Sequence, residues 1–202
     1  MNGEIKIVVG GPMGAGKTTL INALSDIPVV STEAHNSRRD EADKDTTTVA
    51  MDYGRMALDD GQEVSFFGTP GQDRFSYMWE ILSKGALGVV ILVDADREDA
   101  EDALLRYVSV YEQQLQGRPM VIGITKLDCA VPDRFDVLAS LVAEHYVSIP
   151  VVEADPRSRE GAEELLELLE LLMMTLEAAA DDGAPALPNQ AQAPQGFVVG
   201  EG

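Results

Sequence analysis

The chain has 202 residues, with 35 Asp and Glu against 15 Lys and Arg, and a formal net charge of −20. That length suits one domain plus a tail, with enough apolar sequence to bury a core, and the charge disfavours nucleic acid and anionic membrane surfaces, both polyanions, as direct partners. The one cysteine, Cys129, excludes an internal disulfide and fits a reducing compartment.

Taken in chain order, Ile5–Val9 is an apolar run that reads as a strand. Gly11-Pro-Met-Gly-Ala-Gly-Lys-Thr18 follows, and a helical pattern runs from Lys17 to about Asp26. Strand, G-x-x-x-x-G-K-T, helix is the arrangement of a phosphate-binding loop. Its glycines let backbone N–H groups turn inward around phosphate oxygens, and the new helix adds positive charge at its start. Gly11, Met13, Gly14, Ala15, Gly16, Lys17, Thr18 and Thr19 are therefore the predicted phosphate contacts. Lys17 is expected at the β and γ phosphates and the Thr18 hydroxyl on Mg²⁺.

Pro28 to Thr47 is polar and without period, so it is read as a long loop, of a kind usually functional or mobile. Val49–Leu58 and Glu63–Phe67 are predicted strands joined by an Asp59-Asp60-Gly61 hairpin turn. A helix is expected between Gly71 and Lys84, with Phe75 and Trp79 covering core beneath it. Gly88–Val93 and Met120–Thr125 are continuous apolar runs, hence buried strands. Helices are expected over Glu98–Gln116, Asp133–His145 and Ser158–Ala180, and a last strand over Ile149–Val152. Leu165, Leu166, Leu168, Leu169, Leu171 and Leu172 form a stripe that should dock the last helix on its own sheet.

These elements predict an α/β domain over residues 1–180, of the P-loop NTPase three-layer type. The expected sheet is mostly parallel and six-stranded, with one antiparallel hairpin strand and helices on both faces. Residues 181–202, rich in Ala, Pro, Gln and Gly, read as a disordered tail. No run reaches the ~18 apolar residues of a membrane span. Asn2 in place of Gly argues against N-myristoylation, and the last residues carry no prenylation cysteine. The expectation is a cytoplasmic protein with no direct membrane anchor.

Thr125-Lys126-Leu127-Asp128 closes a predicted buried strand, at the end where open α/β sheets bind ligands. A carboxylate there can accept both guanine N1–H and the exocyclic amine, a pair adenine does not offer. The Lys126 stem can lie along the purine face. Asp94, after another buried strand, leaves room for a different reading, in which it is the metal-site carboxylate of an ATPase or small-molecule kinase. A non-hydrolysing nucleotide-binding scaffold is a third.

With these motifs in place the chain resembles a Ras-like small GTPase, and within that superfamily the Arf-like and bacterial gliding-motility branches that work with roadblock-type proteins. Thr48-Val-Ala-Met-Asp-Tyr53 resembles the first switch, Pro70-Gly71-Gln72-Asp73-Arg74-Phe75 the second, and Val93-Asp94-Ala95-Asp96-Arg97-Glu98 the segment after the fourth strand of Arf-like proteins. The resemblance implies a GTP-binding switch that hydrolyses GTP to GDP slowly, with Mg²⁺ between Thr18 and Thr48. It implies Gln72 orienting the attacking water, the Gly71 N–H on the γ-phosphate, and the Ala154 amide closing on guanine. It also implies GTP and GDP as ligands and a roadblock-type regulator as a partner. Two positions depart from the pattern. Gly68 stands where the family has the Asp behind Mg²⁺, so weaker Mg²⁺ retention, or a substitute carboxylate from around Asp40–Asp45, is expected. Thr125 replaces the usual Asn and is expected to tie the base loop to the phosphate loop. Arg38, Arg39 and Arg74 are the candidates for an arginine acting in cis, and Cys129 is expected to be a small packing residue.

Overall fold

A computed structural model describes residues 5–31, 51–72, 75–115, 117–146 and 148–181, with side chains through 175. Among the described residues seven strands form one sheet: β1 (Ile5–Gly10), β2 (Val30–Ser31), β3 (Asp52–Ala57), β4 (Glu63–Gly68), β5 (Gly88–Asp94), β6 (Met120–Thr125) and β7 (Val151–Glu153). Their spatial order is β2-β3-β4-β1-β5-β6-β7. β4, β1, β5, β6 and β7 pair in parallel, while β3 runs antiparallel to both β4 and β2. The expected six strands become seven because β2 lies inside the polar segment read as loop. It is two exposed residues long, too short to leave any periodic signal.

The helices are α1 (Lys17–Leu24), α2 (Ser76–Ser83), α3 (Ala100–Leu115), α4 (Arg134–His145) and α5 (Arg159–Asp181). Alternate residues of the buried strands feed two cores, as period-two geometry requires. On one face Val89, Ile91 and Val93 pack with Trp79, Leu104, Tyr107 and Tyr111 from α2 and α3. On the other, Val90 and Leu92 pack with Leu20, Ile21 and Leu24 of α1 and with Ala162, Leu165 and Leu169 of α5. The leucine stripe of α5 thus docks on its own sheet, though Leu171 is exposed. Phe75 and Trp79 are buried as expected.

The hairpin turn forms as read: the Gly61 N–H donates to the Leu58 carbonyl at 3.0 Å. Element ends shift by one to about five residues, most at the start of α2, which begins at Ser76; the last strand starts at Val151, two residues late, because Pro150 cannot donate to the ladder. Residues 49–50 of the predicted third strand, and the tail from 182, lie outside the described residues. Among the described residues no helix is long and apolar enough to cross a membrane.

β1 has β4 on one side and β5 on the other. Chain connections therefore leave it in opposite directions, and a crevice opens beyond its carboxyl end. That is where the glycine-rich loop lies.

Candidate nucleotide site

The loop between β1 and α1 uses left-handed backbone at Gly14 (φ 85°) and Gly16 (φ 97°), conformations that side chains rarely adopt. Gly11 is also confined: a Cβ there would meet the Leu92 carbonyl oxygen at 2.1 Å. Lys17 is 8% exposed, and its ammonium donates to the Gly11 and Pro12 carbonyls at 2.8 and 2.7 Å. Burial lowers its pKa to about 8, with the nearby Asp52 carboxylate opposing that shift and the Arg97 guanidinium adding to it. Among the described residues the ammonium's hydrogen-bond partners are thus two carbonyl dipoles, a poor substitute for a directly bound anion.

Beside it, the Thr18 hydroxyl donates to Asp52 Oδ2 at 2.5 Å. Asp52 stands directly opposite Gly68 in the β3–β4 ladder. A Cβ built on Gly68 would come 3.0 Å from Asp52 Cβ and 3.3 Å from its Oδ2. The space that a side chain on Gly68 would take is therefore flanked by a carboxylate reaching across from β3. Ser31 of β2 also hydrogen-bonds Asp52 and fixes its other oxygen. Residues 40–45, from which a substitute was expected, lie outside the described residues, as do Thr48, Arg38, Arg39 and Arg74.

Gly71 sits against the loop. Its carbonyl accepts from the Met13 N–H at 3.2 Å and from the Tyr107 hydroxyl at 3.4 Å. A Cβ on Gly71 would lie 2.5 Å from Met13 N and 2.8 Å from Lys17 Nζ. The expected inward-facing group was the Gly71 N–H; the structure turns its carbonyl inward instead. Gln72 follows, with its side-chain amide 3.9 Å from the Met13 sulfur. Behind this segment the Trp79 indole donates to the Pro70 carbonyl at 2.8 Å, and Thr69 bonds the Tyr111 hydroxyl at 3.1 Å. Trp79 packs on Tyr107 with ring centroids 4.5 Å apart.

From Gly14–Gly16 a cleft of about 540 Å³ runs to the loops after β6 and β7. This volume is in the range of small-molecule sites. Thr125 is buried at the junction, its hydroxyl donating to the Ala15 carbonyl at 3.1 Å, the predicted tie between loops. Lys126, with left-handed backbone (φ 58°), pairs with buried Asp94 at 2.6 Å. That contact and the Asp96 N–H occupy both Asp94 oxygens. Asp128 lines the mouth and is bridged by Arg157, which also binds Asp155; the two carboxylates raise the Arg157 pKa. Ala154 lines the wall, but its N–H donates to the Ile124 carbonyl at 2.9 Å. The expected amide contact to a base is therefore corrected: β7 extends its ladder one residue further and takes that donor. Cys129 is also corrected, being exposed at the cleft rim instead of packed.

Sequence reasoning missed Asp52 and Arg97, whose Nη1 lies 3.3 Å from the Met13 carbonyl. The only signal for Asp52 was an acidic residue at a strand start opposite a glycine, and only the register gives that meaning.

A family model described as a conserved hypothetical ATP binding protein matches residues 28–185. The chain belongs to that family. The match begins after the phosphate loop, so fold, loop and family make independent contributions, and together they make this a nucleotide-binding P-loop protein. The chain is also similar to an uncharacterized protein of Methanocaldococcus jannaschii, 35% identical over 94 residues, which cover 46% of this chain and 53% of that one. Translation initiation factor IF-2 of Ruegeria pomeroyi is 29% identical over 89% of this chain and 21% of the factor. The factor from Ruegeria sp. strain TM1040 is 29% identical over 96% and 21%. The chain spans about a fifth of the length of those initiation factors.

Proposed function

We propose that this chain is a guanine-nucleotide switch of the Ras-like small GTPase type, which binds GTP and GDP and hydrolyses GTP slowly. The observation that carries this reading is the joined cleft: Asp128 and Lys126 at one end, the phosphate loop at the other, with Thr125 bonded between them. Asp128 is a bidentate acceptor of the kind guanine N1–H and its amine require. The similarity to initiation factors IF-2 over most of the chain supports the same direction. Against the ATPase or kinase alternative, the carboxylate bonded to Thr18 is Asp52, while Asp94 pairs with Lys126 of the base loop.

Mg²⁺ fits the donor set here: the Thr18 hydroxyl with a carboxylate 2.5 Å behind it is hard oxygen chemistry. When bound, the ion offsets charge between the β and γ phosphates. Thr18 would hold it, with Thr48 as the second proposed ligand, and Asp52 would orient the Thr18 hydroxyl. Lys17 neutralises the transferred phosphoryl group. Gln72 orients the attacking water, so the protein works by positioning and charge. A γ-phosphate competes for the Met13 N–H and Lys17 that the Gly71 segment now crowds. Its arrival displaces that carbonyl and turns the Gly71 N–H inward; its loss lets the carbonyl return. Along α2, exposed Tyr77 and Ile81 stand one turn apart and form an apolar face for a partner protein, a roadblock-type regulator in this reading. The switch occupies residues 1–180 and acts in the cytoplasm.

A displacement titration of labelled GDP by guanosine and adenosine nucleotides tests the proposal. Guanosine preference of at least about a hundredfold is expected. Equal displacement by both sinks it.

A further inference from the structure

Arg97 lies outside every role assigned so far. It follows β5 on a short turn that the rest of the molecule pins in place. The Ala95 N–H donates to the Thr125 carbonyl, and Arg134 bonds the Ala95 and Arg97 carbonyls while pairing with Glu101. The Arg97 guanidinium is itself set by Asp99, which takes Nε at 2.8 Å and Nη2 at 2.7 Å in a two-pronged pair. The remaining nitrogen, Nη1, points at the Met13 carbonyl of the phosphate loop. Gln72 approaches the same residue through the Met13 sulfur. The charge of Arg97 is felt by Lys17, so the guanidinium lies within electrostatic range of the phosphate cradle.

A planar cation held by a carboxylate fork, on a backbone turn that Arg134 pins through the Ala95 and Arg97 carbonyls, is preorganised in the sense that electrostatic catalysis needs. A surface arginine with no task beyond solubility has no use for that scaffolding. We propose that Arg97 is an arginine finger supplied in cis, which stabilises charge on the phosphoryl group as GTP is hydrolysed. This rests on the switch reading above. In the step, water oxygen bonds to the γ-phosphorus and the bond to the β–γ bridging oxygen breaks with its electron pair going to GDP. The water's protons end on inorganic phosphate and solvent. Arg97 exchanges no proton; it lowers the charge cost of the leaving and equatorial oxygens. It takes the place sought in Arg38, Arg39 or Arg74.

The alternative is that Arg97 only braces the Met13 carbonyl. Full-length protein is used to separate them, with wild type, Arg97→Ala and Arg97→Lys, the lysine variant keeping charge and most of the length. Single-turnover GTP hydrolysis without any partner, GDP affinity, and trapping of the GDP form by aluminium fluoride are measured. The expected result is unaided turnover by wild type and a loss of about 10³-fold or more in both variants. GDP affinity should stay within about threefold, and fluoride trapping should occur in wild type only. Lysine fails because a point charge does not reproduce the guanidinium fork. Variants that hydrolyse and trap fluoride like wild type, or that lose GDP affinity with unchanged turnover, overturn the proposal. So does a wild type that binds GTP tightly yet neither turns over nor traps fluoride alone. Absence of guanosine nucleotide binding by wild type rejects the switch reading itself.

Discussion

The phosphate end and the base end of the cleft are built on opposite plans. The phosphate end is made of backbone dipoles around one buried cation, Lys17, with Asp52, Gly71 and Arg97 converging from three other parts of the chain. The base end is made of ion pairs on the loops after β6 and β7, Arg157–Asp128 and Arg157–Asp155 facing solvent and Lys126 reaching back to the buried Asp94. Exposed pairs of that kind are worth little to the fold and can be exchanged for a ligand at small cost. A buried lysine without an anion is a standing penalty that the right ligand removes. In the proposed switch, selectivity would thus sit where the protein is easily rearranged, and affinity where a buried charge awaits its ligand.

The largest effect should come from the phosphate end. Lys17→Met removes two or more charge-assisted contacts to phosphate and is expected to weaken nucleotide binding by about 10²–10³-fold in calorimetry. The same change should raise the melting temperature of nucleotide-free protein, because the penalty goes with it. At the base end, Asp128→Asn should cut guanosine affinity about 30–100-fold by turning an acceptor into a donor, while leaving adenosine affinity unchanged. Equal losses for both bases would mean that Asp128 only supports the loop.

Asp52 sharpens the comparison, because it is a side-chain device at the backbone-dominated end. Asp52→Ala should raise the Mg²⁺ concentration needed to retain GDP by about 10–100-fold, read by nucleotide release against free Mg²⁺. Gly68→Asp alone should destabilise, since its new side chain meets Ile21 and Asp52. Combined with Asp52→Ala it should restore Mg²⁺ dependence. Failure of the double variant to improve on Asp52→Ala would refute the exchange of carboxylates between strands.

Proton linkage gives a smaller, graded test. The Lys17 value of about 8 lies below its unfolded 10.5, so the folded chain binds fewer protons than the unfolded one between those limits. The cost, of order 3 kcal/mol, is fully present below about pH 8 and is relieved as pH rises toward 10.5. Nucleotide affinity should run the other way, falling up to tenfold per pH unit above about 8, and Lys17→Met should abolish that slope. The smallest effect is expected from Tyr111→Phe, which removes only the hydroxyl contact to Thr69, about 1 kcal/mol or a few degrees in melting temperature.

What was legible in the amino-acid order follows the same division. Gly11–Thr18 announces itself because the glycines, the lysine and the threonine are contiguous and each is needed for a backbone reason. Thr125 to Asp128 is readable for a similar cause: the strand that positions it is a continuous apolar run. Asp52 was not, since its role depends on standing opposite Gly68 in an antiparallel register that no local pattern states. Arg97 is silent in the same way, its side chain aimed by Asp99 and its backbone carbonyl held by Arg134 from a distant helix. The Ala154 amide was misjudged because one further rung of ladder decides whether a donor faces ligand or neighbour. β2 escaped because two residues carry no period.

Trp79 is the sole tryptophan in the chain, and its indole grips the Pro70 carbonyl while lying on Tyr107, whose hydroxyl reaches Gly71. Any shift of residues 69–71 away from the loop must lengthen or break that indole contact and change the ring's surroundings. The molecule therefore carries its own optical reporter: tryptophan emission should step when GTP replaces GDP and relax at the rate of turnover, with no dye attached.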